Sequence, residues 1–425
     1  MAALAAAAPM TLTREKAVEM ALENSIDLQK QFIDLNNAEY AAHRLWSEFF
    51  PGISTSLGLR YGTPLLGGGG FQGSAENLNY TASVGLSLPL SSSLSPAMRI
   101  TRLAYQTKLA DYENARRLLG IDISETFYSL IAERETLSLL SGTRALAERQ
   151  LEKSRTSFRN GLVGELAYLQ SQLSAETAHL DFSRAEASYA DNLGNFLVLL
   201  GLEQDTPVTL EGEIAITRFE ADPDALIREY LNSRPDIIKA RREIERLELV
   251  QQQKARDGRV PSLNLQAGWQ GGSSAQGGGI RGDFSDTLSG SLTLNIPLES
   301  IFPGTKANQA VRAANTDVEK ARLDLKNTEN EAMTAIRSLA TNLRNSWLSI
   351  EIARLRVTLA ERTYELTEQG FQNGAVEALA LEDNRNKMTE ARQQLLDGQL
   401  AYKKMMLELS SALNIDEADL VRSVP

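Results

Sequence analysis

The chain repeats itself, and this constrains its fold more than any other feature. The two halves match at an offset of about 210 residues. Asn24-Ser25-Ile26-Asp27-Leu28 answers to Ser233-Arg234-Pro235-Asp236-Ile237, and Pro51-Gly52-Ile53-Ser54 to Pro261-Ser262-Leu263-Asn264. Leu88-Pro89-Leu90 answers to Ile296-Pro297-Leu298, Phe158-Arg159-Asn160-Gly161 to Phe371-Gln372-Asn373-Gly374, and Tyr189 to Tyr402. Such an ordered series predicts two copies of one structural unit. Each copy reads helix, strand, Gly-rich loop, strand, long helix, tight turn, long helix. The first repeat is 1–201, with strands at about 51–61 and 79–89, a long helix at 97–158 and a return helix at 165–200. The second is 225–425, with strands at about 261–270 and 287–297, a long helix at 305–371 and a return helix at 377–413. Between them 202–224 carries Pro207, Pro223 and the β-like Val208-Thr209-Leu210, and reads as a linker.

The four strand segments alternate with period 2. Ile53, Thr55, Leu57, Leu59 and Tyr61 oppose Ser54, Ser56, Gly58 and Arg60; Tyr80, Ala82, Val84, Leu86 and Leu88 oppose Thr81, Ser83, Gly85 and Ser87. In the second half Leu263, Leu265, Ala267 and Trp269 oppose Ser262, Asn264, Gln266 and Gly268, and Leu292, Leu294 and Ile296 oppose Ser291, Thr293 and Asn295. About 10 residues is the length of a tilted strand that crosses a bilayer. Alternation alone also fits a sandwich with one wet face. The small, uncharged polar faces suit a wetted lumen. Gly67 to Gly70 and Gly271 to Gly279 would form the tips of two hairpins. Four strands close no barrel, and an open edge in lipid leaves backbone groups unpaired at several kcal/mol each. Membrane strands here would therefore require an oligomer, and three copies supply twelve.

The long helices hold no interior proline, and roughly 60 residues at 1.5 Å each make a rod of about 90 Å. Heptad seams run through Val311, Ala314, Val318, Ala321 and Leu325, and through Leu343, Ser346, Ile350, Ala353, Val357, Ala360 and Tyr364. The return helices continue them in Leu166, Leu169 and Leu173, and in Met388, Ala391, Leu395, Gly398, Tyr402, Met405 and Leu409. Seven-residue spacing means coiled-coil packing. Small residues at the seams allow a helix to pack on two neighbours at once. The turns Asn160-Gly161 and Asn373-Gly374 suit the left-handed conformation that ends a helix. A long soluble α-hairpin scaffold would show the same helices.

Composition excludes several functions. A net charge of -11 with no basic stripe excludes nucleic acid as a partner. The absence of Cys removes disulfides, thiol catalysis, Cys-ligated zinc and acylation at an N-terminal Cys. No apolar run approaches the roughly 20 residues of a membrane-spanning helix, a test to which β-barrel strands are invisible. The Ala-rich start, Met1 to Met10, reads as the last part of a signal peptide or as an expression scar. His43 and His179 lack metalloprotease spacing, and Gly304-Thr305-Lys306 lacks the earlier glycine of a P-loop. Carboxylate pairs are those of any charged coil. No catalytic, cofactor or metal site is expected.

These features together resemble the TolC family of outer-membrane efflux and secretion channels. The resemblance is carried by Thr11-Leu12, Ala17-Val18 and Ala21-Leu22 at the start and by Pro51 and Pro261 where strands begin. It is carried further by Leu88-Pro89-Leu90 and Ile296-Pro297-Leu298 where strands end, and by the paired Asn-Gly tips. It implies a mainly α fold with a small β part: a long antiparallel coiled-coil barrel continuous with a transmembrane β-barrel, four strands per protomer and twelve per homotrimer. The helical part would lie in the periplasm and the strands in outer-membrane lipid. The linker and chain ends would form an equatorial belt. The resemblance further implies that the hairpin tips close the tunnel and dock a periplasmic adaptor of an inner-membrane pump. On this chain the tips are Asn160, Gly161, Val163 and Gly164, and Asn373, Gly374 and Val376. Asp383, with Glu382 beside it and Glu377 nearer the turn, stands where the family narrows its entrance with acidic side chains; a solvated helix face is the other reading. Ala380 stands where another acid is common, and Gly374-Ala375-Val376 replaces the Gly-Thr-Arg tip of pump-coupled members. The expected function is a passive exit path, with a soluble or surface-attached coiled-coil scaffold as the alternative.

Overall fold

The computed structural model describes residues 10–61, 78–274, 284–298, 301–373, 375–416 and 420. The Ala-rich start before Met10, Gly67 to Gly70, most of the second glycine tip and Gly374 lie outside the described residues. The first half runs β1 (Met10–Leu12), α1 (Arg14–Asn24), α2 (Ile26–His43), a 3-10 turn (Leu45–Phe49), β2 (Gly52–Tyr61), β3 (Leu78–Leu90), α3 (Leu94–Arg159) and α4 (Glu165–Leu199). Then come β4 (Val208–Leu210), α5 (Pro223–Tyr230), α6 (Pro235–Asp257), β5 (Ser262–Ser274), β6 (Ser285–Asn295), α7 (Lys306–Gln372) and α8 (Ala378–Leu413).

Each half opens with two helices where the sequence pattern reads as one. The breaks fall at Ser25 and before Pro235, at matched positions of the duplication. Ser25 ends α1 in an extended conformation and its Oγ accepts the Leu28 N–H, so it caps α2. The proline places its neighbour outside the helical region. α3 begins three residues earlier than expected, at Leu94, and takes Pro96 into its first turn, where the missing N–H costs no bond. β6 ends at Asn295 rather than 297, short of Pro297, which has no N–H to donate to the sheet. β3 carries Pro89 beyond the last residue paired with β2, Ser87.

The chain forms two compact units, each drawn from both halves of the sequence. One comprises residues 1–33, 110–238 and 327–425; the other comprises 34–109 and 239–326. In the first, the duplication gives two hydrophobic cores. Ile123, Phe127, Leu130 and Ile131 of α3 pack with Leu12, Ala17, Ala21, Phe196, Leu200 and Leu210. Ile336, Leu343 and Ile350 of α7 pack with Phe219, Leu226, Ile227, Tyr402, Met406 and Leu409. The first core seats a small parallel sheet, β1 on β4, with Leu12 opposite Leu210. Met10 is thus part of the fold. Arg134 donates to the carbonyls of Leu210 (2.6 Å) and Gly212 (3.1 Å), fixing the segment after β4. In the second core the buried Tyr402 hydroxyl donates to the Thr217 carbonyl at 2.8 Å and accepts the Phe219 N–H at 3.0 Å. The same burial raises the Tyr402 pKa, which keeps the phenol neutral and able to donate. The middle of the linker is thus held by helix side chains of both repeats, Arg134 of α3 and Tyr402 of α8.

The helices of this unit pack in a definite order. α3 meets α4 through Asn192 and Glu133 (2.9 Å) and through Arg144 over the Phe182 ring. α3 meets α8 through Thr143 and Thr389 (3.2 Å) and through Thr136 and Gln393 (3.2 Å). α8 meets α7 through Arg392 and Glu361 (2.6 Å) and through the Trp347 and Tyr402 rings. The α7 and α8 seams read from sequence are inward: Ala314, Val318, Ala321, Leu343, Ile350, Met388, Ala391, Tyr402 and Leu409 are buried. On α4 the expectation fails. Leu166, Leu169 and Leu173 face outward, and Ser171, Ser174, Ala175 and Ala178 are buried instead. Ala147 of α3 packs directly on Ala175 and Ala178. Small side chains win this face because two backbones approach closely over them, while leucines would hold them apart.

Candidate functional site

The second unit contains one four-stranded sheet, in the order β2-β3-β5-β6, antiparallel throughout. The two expected hairpins are thus joined through β3 and β5, one from each repeat. The register sorts the side chains. Ile53 pairs with Leu86, Thr55 with Val84, Leu57 with Ala82. The row continues from Leu86 to Ala267 and from Leu88 to Leu265, then to Gly290 and Leu292. The alternate rows pair Ser56 with Ser83, Ser87 with Gln266, and Gln266 with Ser291. Residues directly opposite one another share a face. One face is therefore apolar over the middle of all four strands, with Thr55 within it and Asp286 toward its end, and the other carries Ser, Thr, Asn, Gln and Gly, with Arg60 near the end of β2.

The apolar face is bare. Leu57 is 91% exposed and Leu288 82%, with Ile53, Leu59, Leu292 and Leu294 also largely open. Soluble sheets bury such a face. The polar face links its own hydroxyls, as in the 2.8 Å contact between Ser56 and Ser83. At the far end Trp269 Nε1 donates to Asp286 at 3.3 Å. Trp46, Phe49 and Phe50, which lead into β2, and Phe302, just before α7, are exposed aromatics, with Trp46 and Phe50 in edge contact.

In the first unit the helical hairpin α3–α4 turns at Gly161, whose φ of +70° is the left-handed conformation. Leu162 N–H reaches back to the Ser157 carbonyl at 2.8 Å, and at the second tip Ala375 N–H reaches the Gly370 carbonyl at 2.9 Å. The same bond spacing closes both turns. Asn160 N–H donates to Thr156 and Asn373 N–H to Gln369, so each asparagine ends its helix. Val163, Gly164 and Leu166 of the first tip share one groove with Phe371, Val376 and Glu377 of the second. The structure thus brings Val163, Gly164, Val376 and Glu377 together.

The three acids separate. Glu377 precedes α8 as its cap residue, and its carbonyl accepts the Leu381 N–H. Glu382 turns toward a small cavity of about 100 Å³ that Tyr364, Glu368, Arg149 and Lys153 also line. Asp383 points out to solvent and pairs with Lys387 one turn on, at 2.6 Å. Sequence reasoning missed Arg385. It is 7% exposed, donates to Ser174 Oγ on α4 at 2.8 Å, and lies 3.8 Å from Glu382. Its signal was slight: an arginine three residues after Glu382, inside a charged run. Arg385 joins the second return helix to the first beside the tips.

Among the described residues no helix is long and apolar enough to cross a membrane, and no group of His, Cys, Asp and Glu is arranged to hold a metal. The sequence profile of the family described as outer membrane efflux protein matches residues 17–202 and 226–414. The chain is 22% identical over 364 residues to outer membrane protein TolC of Escherichia coli (strain K12), spanning 82% of this chain and 72% of that protein. To TolC of Salmonella enteritidis it is 22% identical over 359 residues, 81% of this chain and 71% of that protein. Among solved structures it is similar to CusC, with a TM-score of 0.75 at 16% identity over 95% of this chain and 92% of that one. It is similar also to the Campylobacter jejuni CmeC outer membrane channel, with a TM-score of 0.73 at 18% identity over 96% and 88%. Both structural likenesses concern the fold. Since the profile takes in the four-stranded sheet and the long helices of both repeats, the chain belongs to the outer membrane efflux protein family and resides in the outer membrane.

Proposed function

We propose that three copies of the chain form a passive exit channel. Each copy contributes its four strands to a twelve-strand barrel in outer-membrane lipid and its long helices to a tunnel in the periplasm. The observation that carries this reading is the sheet with a bare apolar face. Every edge of a sheet in lipid must be paired. β2 and β6 are its two edges, of 10 and 11 residues, and they run in opposite directions. β6 of one copy can therefore extend the antiparallel ladder onto β2 of the next. The small polar face, neutral but for Arg60, then lines the lumen. A soluble scaffold gives no reason for the uncovered leucines.

The helical tips are the proposed periplasmic entrance. Asn160, Gly161, Val163, Gly164, Asn373, Gly374 and Val376 are the surface offered to an adaptor of an inner-membrane pump. Asp383 is the proposed charge at the narrowing, and Glu377 and Glu382 are its lesser companions. Three like carboxylates near one axis favour cations. Lys387, held 2.6 Å from Asp383, offsets that preference.

Purified protein in a planar bilayer under a salt gradient is expected to give discrete conductance steps with a cation-favouring reversal potential. Asp383→Ala should move that potential toward zero, and Lys387→Ala should move it the other way. An unchanged potential in both variants removes Asp383 from the entrance. Absence of steps in the unaltered protein removes the channel.

A further inference from the structure

All four long helices contribute polar side chains to one small cavity. Arg149 and Lys153 lie one turn apart on α3, Tyr364 and Glu368 one turn apart on α7, and Glu382 and Arg385 one turn apart on α8. Spacings of three and four put each pair on one helix face. All six line the same cavity, with Ser174 of α4 beside them. Arg385 is the buried member, at 7% exposure. Its Nη2 donates to Ser174 Oγ at 2.8 Å and to Asn386 Oδ1 at 3.4 Å. Glu382 Oε1, at 3.8 Å, stands beyond hydrogen-bond distance. Arg385 Nε is buried and has no hydrogen-bond partner among the described residues.

We infer that this cavity is a binding site for one small monovalent anion, the size of chloride, held against Arg385 Nε. Every side chain named belongs to one chain, so the site is independent of how copies assemble. First, a buried charge is costly unless it is both paired and hydrogen-bonded. The Arg385 guanidinium bonds only neutral groups, and an anion at Nε supplies the missing charged partner. Second, the charges lining the cavity do not balance. Arg149, Lys153 and Arg385 are three cations, and Glu368 and Glu382 are two carboxylates. One monovalent anion closes the difference, whereas a divalent one would overshoot beside the same carboxylates. A water could accept from Nε but would leave the charge uncompensated. Third, the cavity is large enough. It measures about 100 Å³, where one water needs roughly 10–15 Å³. Chloride fits with part of its hydration. Tyr364 adds a neutral donor: burial raises the pKa of its phenol, and Glu368 raises it further, against Arg385 and Arg149, which lower it. A phenol that senses both guanidiniums places the two around one space.

Bromide is the probe, because it replaces chloride and scatters X-rays anomalously. Crystals of the detergent-extracted protein, grown in sodium gluconate and soaked in sodium bromide, should show an anomalous peak within hydrogen-bond distance of Arg385 Nε. In solution, exchanging gluconate for bromide at constant ionic strength should raise the unfolding midpoint along a saturating curve, as a ligand of the folded state does. Arg385→Gln should lose that saturable rise. Arg149→Gln/Lys153→Gln changes two exposed positions, so it should fold normally and need several-fold more bromide for half the effect. This second variant decides the matter even if Arg385→Gln fails to fold. Water alone beside Arg385 overturns the site. Peaks confined to surface lysines and arginines would mean adventitious ions only, and overturn it too. So would an unaltered bromide response in the double variant.

Discussion

Leu57→Arg is expected to abolish assembly in the membrane, the largest effect of any single surface substitution here. Leu57 lies in the middle of β2, is almost wholly exposed, and faces the same side as its partner Ala82. An arginine at the mid-plane of a lipid-facing strand costs about 2–4 kcal/mol. A symmetric assembly incurs that cost in every copy, so three chains raise it to roughly 6–12 kcal/mol. Ser56→Arg is the matched control, one residue away on the opposite face. It loses a solvent-exposed hydroxyl contact with Ser83, worth about 1 kcal/mol. The guanidinium stays wet in the lumen, so Ser56→Arg should assemble. Membrane fractionation and the yield of detergent-stable oligomer measure both. Normal assembly of Leu57→Arg, or a worse defect in Ser56→Arg, would reverse the assignment of the two faces.

Phe127→Ala should lower the stability of the helical unit by about 3–5 kcal/mol, the usual cost of emptying a fully buried phenylalanine site. The Phe127 side chain is 1% exposed, sits edge-on to Tyr128, and fills the space under Gly212. Leu12 and Leu210, the paired ends of β1 and β4, share its core. The cavity would therefore open beneath the small parallel sheet, and the segment after β4 would loosen with it. Thermal unfolding of the detergent-solubilised protein is expected to show a clearly lowered midpoint. Increased proteolysis near Gly212 should accompany it. A loss below about 1 kcal/mol would mean that the site collapses freely, which its crowded neighbours contradict.

Strands and helices were legible in the sequence for different reasons. Alternation in β2, β3, β5 and β6 is a local property, so their faces could be read residue by residue, and the register bears them out. Joining β3 to β5 is a non-local choice between equivalent strands of two repeats, and nothing in either segment states it. The α7 and α8 seams were legible because Leu343, Ile350, Tyr402 and Leu409 are large and evenly spaced. The α4 seam was not, because its outward stripe is leucine and its inward stripe is serine and alanine. Hydrophobicity ranks those two faces in the wrong order for a single chain. A leucine stripe that faces out of the chain looks the same in sequence as a core.

The candidate site divides in the same way. The Asn-Gly tips were legible because a left-handed residue at the end of a helix has few chemical solutions, and Gly161 adopts one of them. Glu382 and Asp383 are adjacent in sequence yet point to different surroundings, since neighbours on a helix lie about 100° apart. One faces a cavity shared with Arg385, and the other pairs with Lys387 in solvent. Which acid faces an axis depends on where the axis lies. Arg385 went unread because its partner, Ser174, is 211 residues away. Tyr402 was read as a seam residue, and its hydroxyl also holds the linker at Thr217 and Phe219.

A channel built from this chain has one requirement, that the four strands find their missing neighbours in other copies of the same chain. Native mass spectrometry of the detergent-extracted, membrane-integrated protein tests it most directly. The expected result is a single species of three chains that precipitates when detergent is withdrawn. A monodisperse single chain that stays dispersed in plain buffer would show that the bare apolar face is satisfied without sister strands, and would contradict the channel.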